Sequence, residues 1–478
     1  MKEKNVLGEL FKNWHGEMPE SIELLPISGS NRNYYRLIKG STSAIGVYNI
    51  DKKENIAFIK FTEHFLQKKL NVAQIYAQDL ENHCYIQEDL GDDTLFSILT
   101  KDRKGDEIPP SVLHLYLKAV EQLPRFQVLA HEGFDYSYCY PRASFDKQSM
   151  TWDLNYFKYY FLKLAQIPYD EQSLEDDFSV FAEYLNKVDR HFFLYRDFQS
   201  RNIMIRDKEV WFIDYQGGRE GALQYDLASL LYDAKANLND ATRELLLEHY
   251  LDSLQKYTPI NRDKFKDQFY TFALIRILQA MGAYGFRGFY ENKSHFLQSI
   301  PYALKNLRSI LKKLPQNLQI PTLTELLSSL SVSERLLNIG SSPTILTVQI
   351  NSFSFKKGLP TDDSGNGGGF IFDCRSLPNP GRLPEYKTLT GMDFEVIEYL
   401  EKHPIIETFK QHVFSMVDIS VQNYLERGFT NLQINFGCTG GQHRSVYFAE
   451  ELSKHIKQTY NAKIILHHRE QQIKPSVI

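Results

Sequence analysis

The stretch LYRDFQSRNIMIRDKEVWFIDYQGG, residues 194–218, decides how the chain is interpreted. Its first nine residues are polar, whereas NIMIR and VWFIDY have the composition of β-strands with a charged turn between them. The pattern predicts a hairpin that brings Asp197, Asn202 and Asp214 together at one end. Two carboxylates and an amide supply the hard oxygen ligands that Mg²⁺ takes beside phosphates. The D-x-x-x-x-N spacing, followed by an aspartate ahead of two glycines, matches a kinase catalytic loop and indicates phosphoryl transfer.

The composition indicates a globular protein with two or three domains. Of its residues 42% are hydrophobic and 24% are charged, which is ordinary for folded proteins. A length of 478 residues is too great for a single hydrophobic core. A net charge of -4 gives no general attraction to nucleic acid or to anionic membranes. Polar residues interrupt the apolar residues of the N-terminus, so a signal peptide is not expected.

Cysteine usage favours a reducing compartment. The four cysteines are scattered without a C-x-x-C pair, which argues against a disulfide scaffold and a zinc site; they are Cys84, Cys139, Cys374 and Cys438. We therefore expect a cytoplasmic protein. The aromatic run 269–290 contains Arg276, Gln279 and Arg287, so it predicts a buried helix and no membrane span.

Hydrophobic periodicity divides the chain into three parts. Short β-rich segments predict a small mixed lobe over residues 1–89, and a helical period predicts a helical lobe over 90–330. Proline and glycine mark a linker at 331–343 that contains a short helix. Strands return after it and predict a separate α/β domain at 344–478. In the helical lobe, Asp226 precedes LASLLYD and is interpreted as a helix N-cap.

The first 330 residues resemble the aminoglycoside phosphotransferase and choline kinase superfamily, whose fold is protein-kinase-like. The motif EDLGDDTL after the strand CYIQ is most similar to bacterial sugar kinases that phosphorylate N-acetylmuramate or N-acetylglucosamine at the anomeric carbon. The resemblance implies that Asp197 is the catalytic base and that Asn202 and Asp214 bind Mg. It also implies ATP as the phosphate donor.

The same resemblance places the nucleotide. The loop SGSNRNYYRL, residues 28–37, would cover the phosphates, and the segment after CYI would meet adenine. The implied nucleotide-binding residues are Ser30, Asn31, Arg32, Asn33, Gln87, Glu88 and Asp89.

Two positions depart from the family pattern. Tyr195 stands where a histidine often precedes the catalytic aspartate, and AIGVYNI carries no phosphate-pairing lysine.

A second constellation lies in NLQINFGCTGGQHRSVYFAEELSKHI, where a strand, a glycine-containing loop and a helix beginning near Ser445 follow one another. Loop N–H groups, the helix dipole and a bidentate Arg444 predict a phosphate site. Cys438 and Arg444 also fit C-x5-R, the pattern of tyrosine phosphatases. We interpret Cys438 as a buried small residue instead, because no aspartate general acid is identifiable.

Four ordered blocks, SFSFKKGLP, FDCRSLPNP, LTGMD and GCTGGQHRS, resemble the C-terminal domain of the RapZ family, covering residues 344–478. Members of that family sense glucosamine-6-phosphate and act as RNA-binding adaptors. The resemblance implies an amino-sugar phosphate bound by Lys356, Asp373, Arg375, Asn379, Thr439, Gly440, Gly441, His443, Arg444 and Ser445. RNA binding is not favoured, because a kinase-like region replaces the P-loop domain that normally precedes this module.

Taken together, the residues and both resemblances predict an ATP- and Mg-dependent kinase of a small-molecule hydroxyl, most readily an amino sugar, with a domain that binds an amino-sugar phosphate. Three alternatives stay open. The first is a kinase for another hydroxyl substrate, such as an aminoglycoside or choline. The others are a non-catalytic sensor with a degenerate kinase domain, and a phosphatase centred on Cys438.

Overall fold

The protein forms two units, Met1–Ile339 and Gly340–Ile478, and each is described by itself. The division falls inside the predicted linker. The structure is a computed structural model, and the residues it describes are 2–26, 32–105, 107–339, 346–362, 369–427, 429–471 and 476–477.

An antiparallel sheet of five strands opens the first unit, in the order β1-β2-β3-β5-β4. Its strands are β1 (Ser21–Leu24), β2 (Asn33–Lys39), β3 (Thr42–Tyr48), β4 (Ile75–Asp79) and β5 (Cys84–Glu88), with helices α1 (Lys2–His15) and α2 (Lys52–Gln67). Successive side chains of a strand point to opposite faces of its sheet, so β3 contributes side chains to two different hydrophobic clusters. Ala44 packs in a cluster with Leu7 and Phe11 of α1, whereas Ile45 and Val47 pack with α2 in the main core.

A helical lobe follows the sheet. Its helices are α3 (Leu95–Asp102), α4 (Pro110–Pro124), α5 (Lys147–Phe157), α6 (Glu171–Asn186), α7 (Gln224–Leu231), α8 (Asp240–Leu254), α9 (Arg262–Gly285), α10 (Ser294–Leu297), α11 (Ile300–Ile310), α12 (Pro321–Ser331) and α13 (Glu334–Leu337). Two short antiparallel pairs lie among them, β6 (Phe192–Leu194) with β9 (Arg219–Gly221), and β7 (Ile203–Arg206) with β8 (Glu209–Phe212).

Helix α9 forms the centre of this lobe. Its residues are apolar around most of the helix, as expected for a helix enclosed by others, and the stretch Thr271–Leu278 is buried throughout. The prediction of a buried helix here is confirmed. Gly285 permits a close approach, because a Cβ at this position would lie 2.0 Å from the backbone oxygen of Tyr160. In the described residues, no helix is long and apolar enough to cross a membrane.

The second unit is built on a sheet in the order β11-β12-β10-β13-β14, parallel except for β14. Its elements are β10 (Thr347–Ser354), β11 (Gly369–Asp373), α14 (Phe394–Glu401), α15 (Pro404–Arg427), β12 (Asn431–Cys438), α16 (Arg444–Thr459), β13 (Lys463–His468) and β14 (Ser476–Val477). The interior strand β12 is buried from Leu432 to Cys438, as strands covered on both faces are. Ser354 pairs with Cys438, so the loops that follow β10 and β12 leave the same edge. The predicted fold class is confirmed, with a bilobal kinase-like unit of a small β lobe and a helical lobe, and a separate α/β unit.

Candidate functional site

The first candidate site is the loop and hairpin between β6 and β9. The Asn202 side-chain amide donates to the backbone oxygen of Asp197 at 2.8 Å and to Oδ2 of Asp214 at 3.2 Å. The predicted trio is therefore brought together around one amide. Asp214 itself has a positive φ of 68°, which turns the chain sharply after β8 and presents its carboxylate toward Asn202.

The electrostatics of Asp214 reflect its recessed position. Although 36% of its side-chain surface stays accessible, the surrounding protein raises the pKa of Asp214 by desolvation, and the negative charge of Asp197 raises it further. Arg32 and Gln216 oppose this rise by donating to Oδ1 at 3.1 and 2.7 Å. The site thus brings the acidic groups Asp197 and Asp214 near each other and surrounds Asp214 with hydrogen-bond donors.

A cation site here would use hard oxygen donors. The described residues contain no group of three or more His, Cys, Asp or Glu side chains that could hold a metal. Asp214 and Asn202 instead offer a carboxylate and an amide oxygen, and in the described part of the chain no donor bonds Asn202 Oδ1. Such a sparse oxygen set fits Mg²⁺, which commonly takes one or two protein ligands and completes its shell with phosphates and waters.

Of the predicted phosphate-loop residues that the structure describes, Arg32 is connected to this site. It pairs with Glu54 of α2, bonds Asp214 and reaches the Tyr34 hydroxyl at 3.2 Å. Asn33 lies on β2 opposite Tyr48, outside the trio. Ser30 and Asn31 lie outside the described residues. Sequence spacing could not reveal the Arg32 contacts, because their partners lie 22 and 182 residues away.

The three residues predicted to meet adenine lie at the end of β5. Gln87 is buried and pairs in the sheet with Ile45. Glu88 forms an ion pair with Arg206 at 2.6 Å. Asp89 accepts from Arg36 at 2.7 Å. Because both carboxylates are paired with arginines, contacts from this segment to a base would come from its backbone or from the Gln87 amide, whose buried Oε1 has no partner among the described residues.

The prediction that Asp226 is an N-cap is wrong. Asp226 lies inside α7, fully buried, and its carboxylate accepts from the backbone N–H groups of Tyr195 and Arg196 at 2.8 and 2.9 Å. Burial raises the pKa of Asp226 to about 7, while these bonds and one from Gln127 favour the charged form. Asp226 therefore holds the loop that carries Asp197. The local sequence carries no signal of this, because the partners lie about 30 residues upstream.

Two further residues fix the same loop. The Arg196 guanidinium makes a bidentate pair with Asp153 of α5 at 2.7 and 2.9 Å. Tyr195, at the position of the familiar histidine, is fully buried and donates through its hydroxyl to the backbone oxygen of Ile213 at 2.6 Å. The tyrosine thereby ties the loop to the residue that precedes Asp214.

Replacing Asp226 with asparagine is expected to lower the phosphoryl transfer predicted from the sequence about 10-fold and to destabilise the protein by roughly 1–3 kcal/mol, since one amide N–H group would face a backbone N–H. Activity and thermal unfolding measure the two effects. Asp252→Asn, at an exposed site on α8, is the control. An Asp226→Asn protein with unchanged activity and stability would contradict this role.

The second candidate site is the loop from Cys438 to Ser445. The Cys438 thiol is 3% exposed, receives the N–H of Gly441 at 3.1 Å and lies 3.2 Å from Ser445 Oγ. Burial opposes ionisation, but these hydrogen bonds and the charge of Arg444 lower the pKa of the Cys438 thiol on balance. Its enclosure favours the interpretation as a buried residue over that of a nucleophile. Thr439 and Gly440 are the exposed part of the loop.

The bidentate anion clamp predicted for Arg444 stays a prediction, because within the described residues the buried Nε of Arg444 has no hydrogen-bond partner. Its Nη1 donates to the backbone oxygens of Arg375 and Leu377, both at 2.9 Å, and the side chain is 4% exposed. His443 is likewise engaged, with Nε2 at 2.8 Å from the backbone oxygen of Tyr386. Both residues fasten the loop to the segment that follows β11, a role their spacing does not reveal.

The remaining predicted residues approach the same edge of the sheet. Asp373 and Arg375 pair with each other beside the Arg444 contact. Asn379 and His443 both border Gly381, since a Cβ there would lie 3.5 Å from Asn379 Oδ1 and 3.2 Å from the His443 ring. The Lys356 N–H donates to Ser354 Oγ, which in turn donates to the Thr439 backbone oxygen at 2.7 Å. The three segments therefore meet around one loop.

The two loop glycines provide a matched pair of substitutions. Gly441 has a φ of 70°, and a Cβ there would lie 2.9 Å from the Ser354 backbone nitrogen, whereas a Cβ at Gly440 meets nothing within 4 Å. We expect Gly441→Ala to destabilise the second unit by roughly 1–3 kcal/mol and Gly440→Ala to change little. Thermal unfolding of both variants measures this. Equal effects would contradict the strained conformation assigned to Gly441.

Comparison with known proteins agrees with this architecture. The model of the phosphotransferase enzyme family matches residues 21–260, and that of the RapZ C-terminal domain matches residues 346–472. A nucleotide-binding protein of Thermotoga neapolitana is 41% identical over 113 residues, 24% of this chain and 38% of that protein. One of Thermosipho africanus is 36% identical over 175 residues, 36% of this chain and 60% of that protein. The chain thus spans less than two thirds of these relatives.

Among solved structures, choline kinase LicA from Streptococcus pneumoniae aligns with a TM-score of 0.43 and 18% identity, over 65% of this chain and 100% of that one. Amicoumacin kinase hAmiN, in complex with AMP-PNP, Ca²⁺ and Ami, aligns with a TM-score of 0.43 and 13% identity, over 69% and 93%. The family model covers just over half of the chain. The chain therefore belongs to the phosphotransferase enzyme family and carries a RapZ C-terminal domain after its kinase-like unit.

Proposed function

We propose that the first unit transfers the γ-phosphoryl group of ATP, with Mg, to a hydroxyl of an amino sugar such as N-acetylglucosamine or N-acetylmuramate. One observation carries the proposal: the Asn202 amide joins the backbone of Asp197 to the carboxylate of Asp214. In-line transfer needs a carboxylate at the attacking hydroxyl and cation ligands at the phosphates. The three residues fill these roles within one hairpin.

Asp197 is the proposed base. Its Oδ2 lies beside Gly217, where a Cβ would be 3.6 Å away, at ordinary contact distance. Arg196 donates to Asp226 and Asp153, and Tyr195 donates to the backbone oxygen of Ile213, so the loop that carries Asp197 is fixed before a substrate arrives. Such preorganisation lowers the barrier because no protein group has to be reordered during the reaction.

Asp214 and Asn202 would hold Mg, which would neutralise charge on the transferring phosphate. Arg32 supplies the cation that β3 lacks. In kinases a β3 lysine pairs with a glutamate of the helix that follows and contacts the phosphates. Here Arg32, which immediately precedes β2, pairs with Glu54 of the helix after β3 and also bonds Asp214. Its guanidinium therefore contacts both a glutamate of that helix and the aspartate proposed to bind Mg.

For the second unit we propose binding of an amino-sugar phosphate at the loop 438–445. Its support is that the segments carrying Lys356 and Arg375 meet the loop 438–445 through backbone contacts at one sheet edge, where ligands of parallel sheets commonly bind. Isothermal titration of glucosamine-6-phosphate against the Lys356→Gln protein and the unchanged protein tests this. Equal affinities, or no binding to either, would contradict the proposal.

The transfer reaction is tested by supplying ATP and Mg with N-acetylglucosamine, N-acetylmuramate, glucosamine, choline or kanamycin. NMR of the product locates the phosphate. Phosphate on an amino-sugar hydroxyl is the expected result. Transfer only to choline or kanamycin would replace the acceptor class while keeping the reaction. Absence of transfer to every acceptor would overturn the kinase proposal and favour a sensor with two binding domains.

A further inference from the structure

Arg219, the first residue of β9, is a buried cation without an acidic partner among the described residues. Its side chain is 8% exposed, and the one bond it makes to that part of the chain runs from Nε to the backbone oxygen of Gly217 at 3.0 Å. A guanidinium has five N–H donors, and burying its charge without a partner is unfavourable.

The other buried arginines of the first unit are differently placed. Arg32 pairs with two carboxylates, and Arg243 pairs with Asp240 at 3.0 Å. Arg276 has two side-chain acceptors, Ser229 at 2.9 Å and Gln279 at 2.6 Å. Within the described ranges, Arg219 alone in this group has a single backbone oxygen, so most of its donors are left for a group outside those residues.

The position of Arg219 relates it to the transfer site. In the β6–β9 pair, Arg219 lies opposite Leu194, three residues before Asp197. Its Nε bonds the oxygen of Gly217, the residue that faces the Asp197 carboxylate. Arg219 is therefore attached to the backbone that borders the proposed base, on the chain segment that leads away from Asp214.

Nearby acids are already committed. Asp153 gives both of its oxygens to Arg196, and the Tyr225 hydroxyl also bonds Arg196. Burial and then the positive charge of Arg196 lower the pKa of Arg219 to about 10, and the charge of Asp153 offsets this only in part. An anion beside Arg219 would offset the repulsion from Arg196 and could accept from the Nη groups of Arg219, which no described residue bonds.

We propose that Arg219 binds an oxyanion, a carboxylate or a phosphate, carried by the hydroxyl acceptor that Asp197 activates. The inference rests on the proposed kinase function and narrows its acceptor to acidic sugars. A guanidinium recognises such groups bidentately, which fixes the orientation of the acceptor as well as its affinity. Neutral sugars lose this contact, and cationic acceptors such as choline or kanamycin are repelled.

The test compares acceptors that differ in charge. N-acetylmuramate and its methyl ester have nearly the same shape, and only the first is anionic; N-acetylglucosamine 6-phosphate represents the phosphate source. With the full chain, kcat/KM for at least one acid should exceed that for the ester. Arg219→Gln should lower kcat/KM for that acid by roughly 10- to 100-fold more than for the ester, as for loss of a charged hydrogen bond. Which acid responds identifies the oxyanion.

Two variants accompany this comparison. Arg219→Lys keeps a positive charge and should retain part of the preference, which separates recognition from loss of folding. Arg262→Gln removes an arginine at the surface of α9 that pairs with Glu248 and should leave the preference intact. Equal losses for acid and ester in Arg219→Gln, or no preference in the unchanged protein, would overturn the inference.

Failure of the kinase proposal would be recognised separately. If no acceptor receives phosphate, isothermal titration of the same acid and ester decides the binding inference. Binding that requires both the acidic group and Arg219 would support it without catalysis. Equal binding of acid and ester, or binding of neither, would overturn it.

Discussion

Replacing Asp197 with asparagine is expected to lower phosphoryl transfer by roughly 10²- to 10⁴-fold, the range for removing a general base. The amide keeps the shape of the carboxylate, so the contact with Gly217 and the bond from Asn202 to the Asp197 backbone oxygen should persist. ATP affinity should change little, because Arg32 immediately precedes β2, Gln87 lies on β5 and Asp214 lies on the turn after β8. Steady-state kinetics and titration with ATP measure the two quantities.

The control for Asp197 lies on the same hairpin. Asp207 is exposed in the turn between β7 and β8, and Asp207→Asn should leave both quantities unchanged. Retention of turnover by Asp197→Asn would remove it as the base. A parallel loss of ATP affinity and turnover would indicate that the substitution disturbs the whole site.

Local and distant contacts explain what the sequence could predict. Asp197, Asn202 and Asp214 lie within 18 residues, and a hairpin is recognisable from alternating composition, so their convergence followed from local pattern. Arg32 and Asp214 are 182 residues apart and meet only when the sheet packs above the helical lobe. No spacing rule covers such a contact.

The second unit shows the same limit. The four sequence blocks pointed to the loop 438–445, and parallel pairing of Ser354 with Cys438 explains why separate blocks meet there. The direction of the Arg444 side chain did not follow, because it depends on the carbonyls of residues 375 and 377, about 70 positions upstream. Asp226 was misassigned for a similar reason: its helical position is readable, but its backbone partners are not.

Arg32→Ala is expected to lower kcat/KM for ATP by roughly 10²- to 10³-fold, the range for losing one preorganised donor at a developing charge. Arg32 is buried and holds Glu54 and Asp214 together, and β3 has no cation that could replace it. Arg32→Lys should recover part of the activity, since a lysine restores the charge but not the fork that spans two carboxylates. Kinetics at varied ATP and Mg concentrations measure the effect.

A surface cation on β2, the strand that Arg32 immediately precedes, provides the comparison for Arg32. Lys39 at the other end of β2 pairs with Glu17 and Glu20 near solvent, and such exposed pairs contribute about 0–1 kcal/mol. Lys39→Ala should therefore leave kcat/KM for ATP unchanged. If Arg32→Ala behaved like Lys39→Ala, the phosphates would have to be bound by another group, and the ion pair with Glu54 would serve the packing of α2 alone. A loss of kcat/KM for ATP in Arg32→Ala but not in Lys39→Ala would instead indicate that Arg32 contacts the phosphates in place of the lysine that β3 lacks.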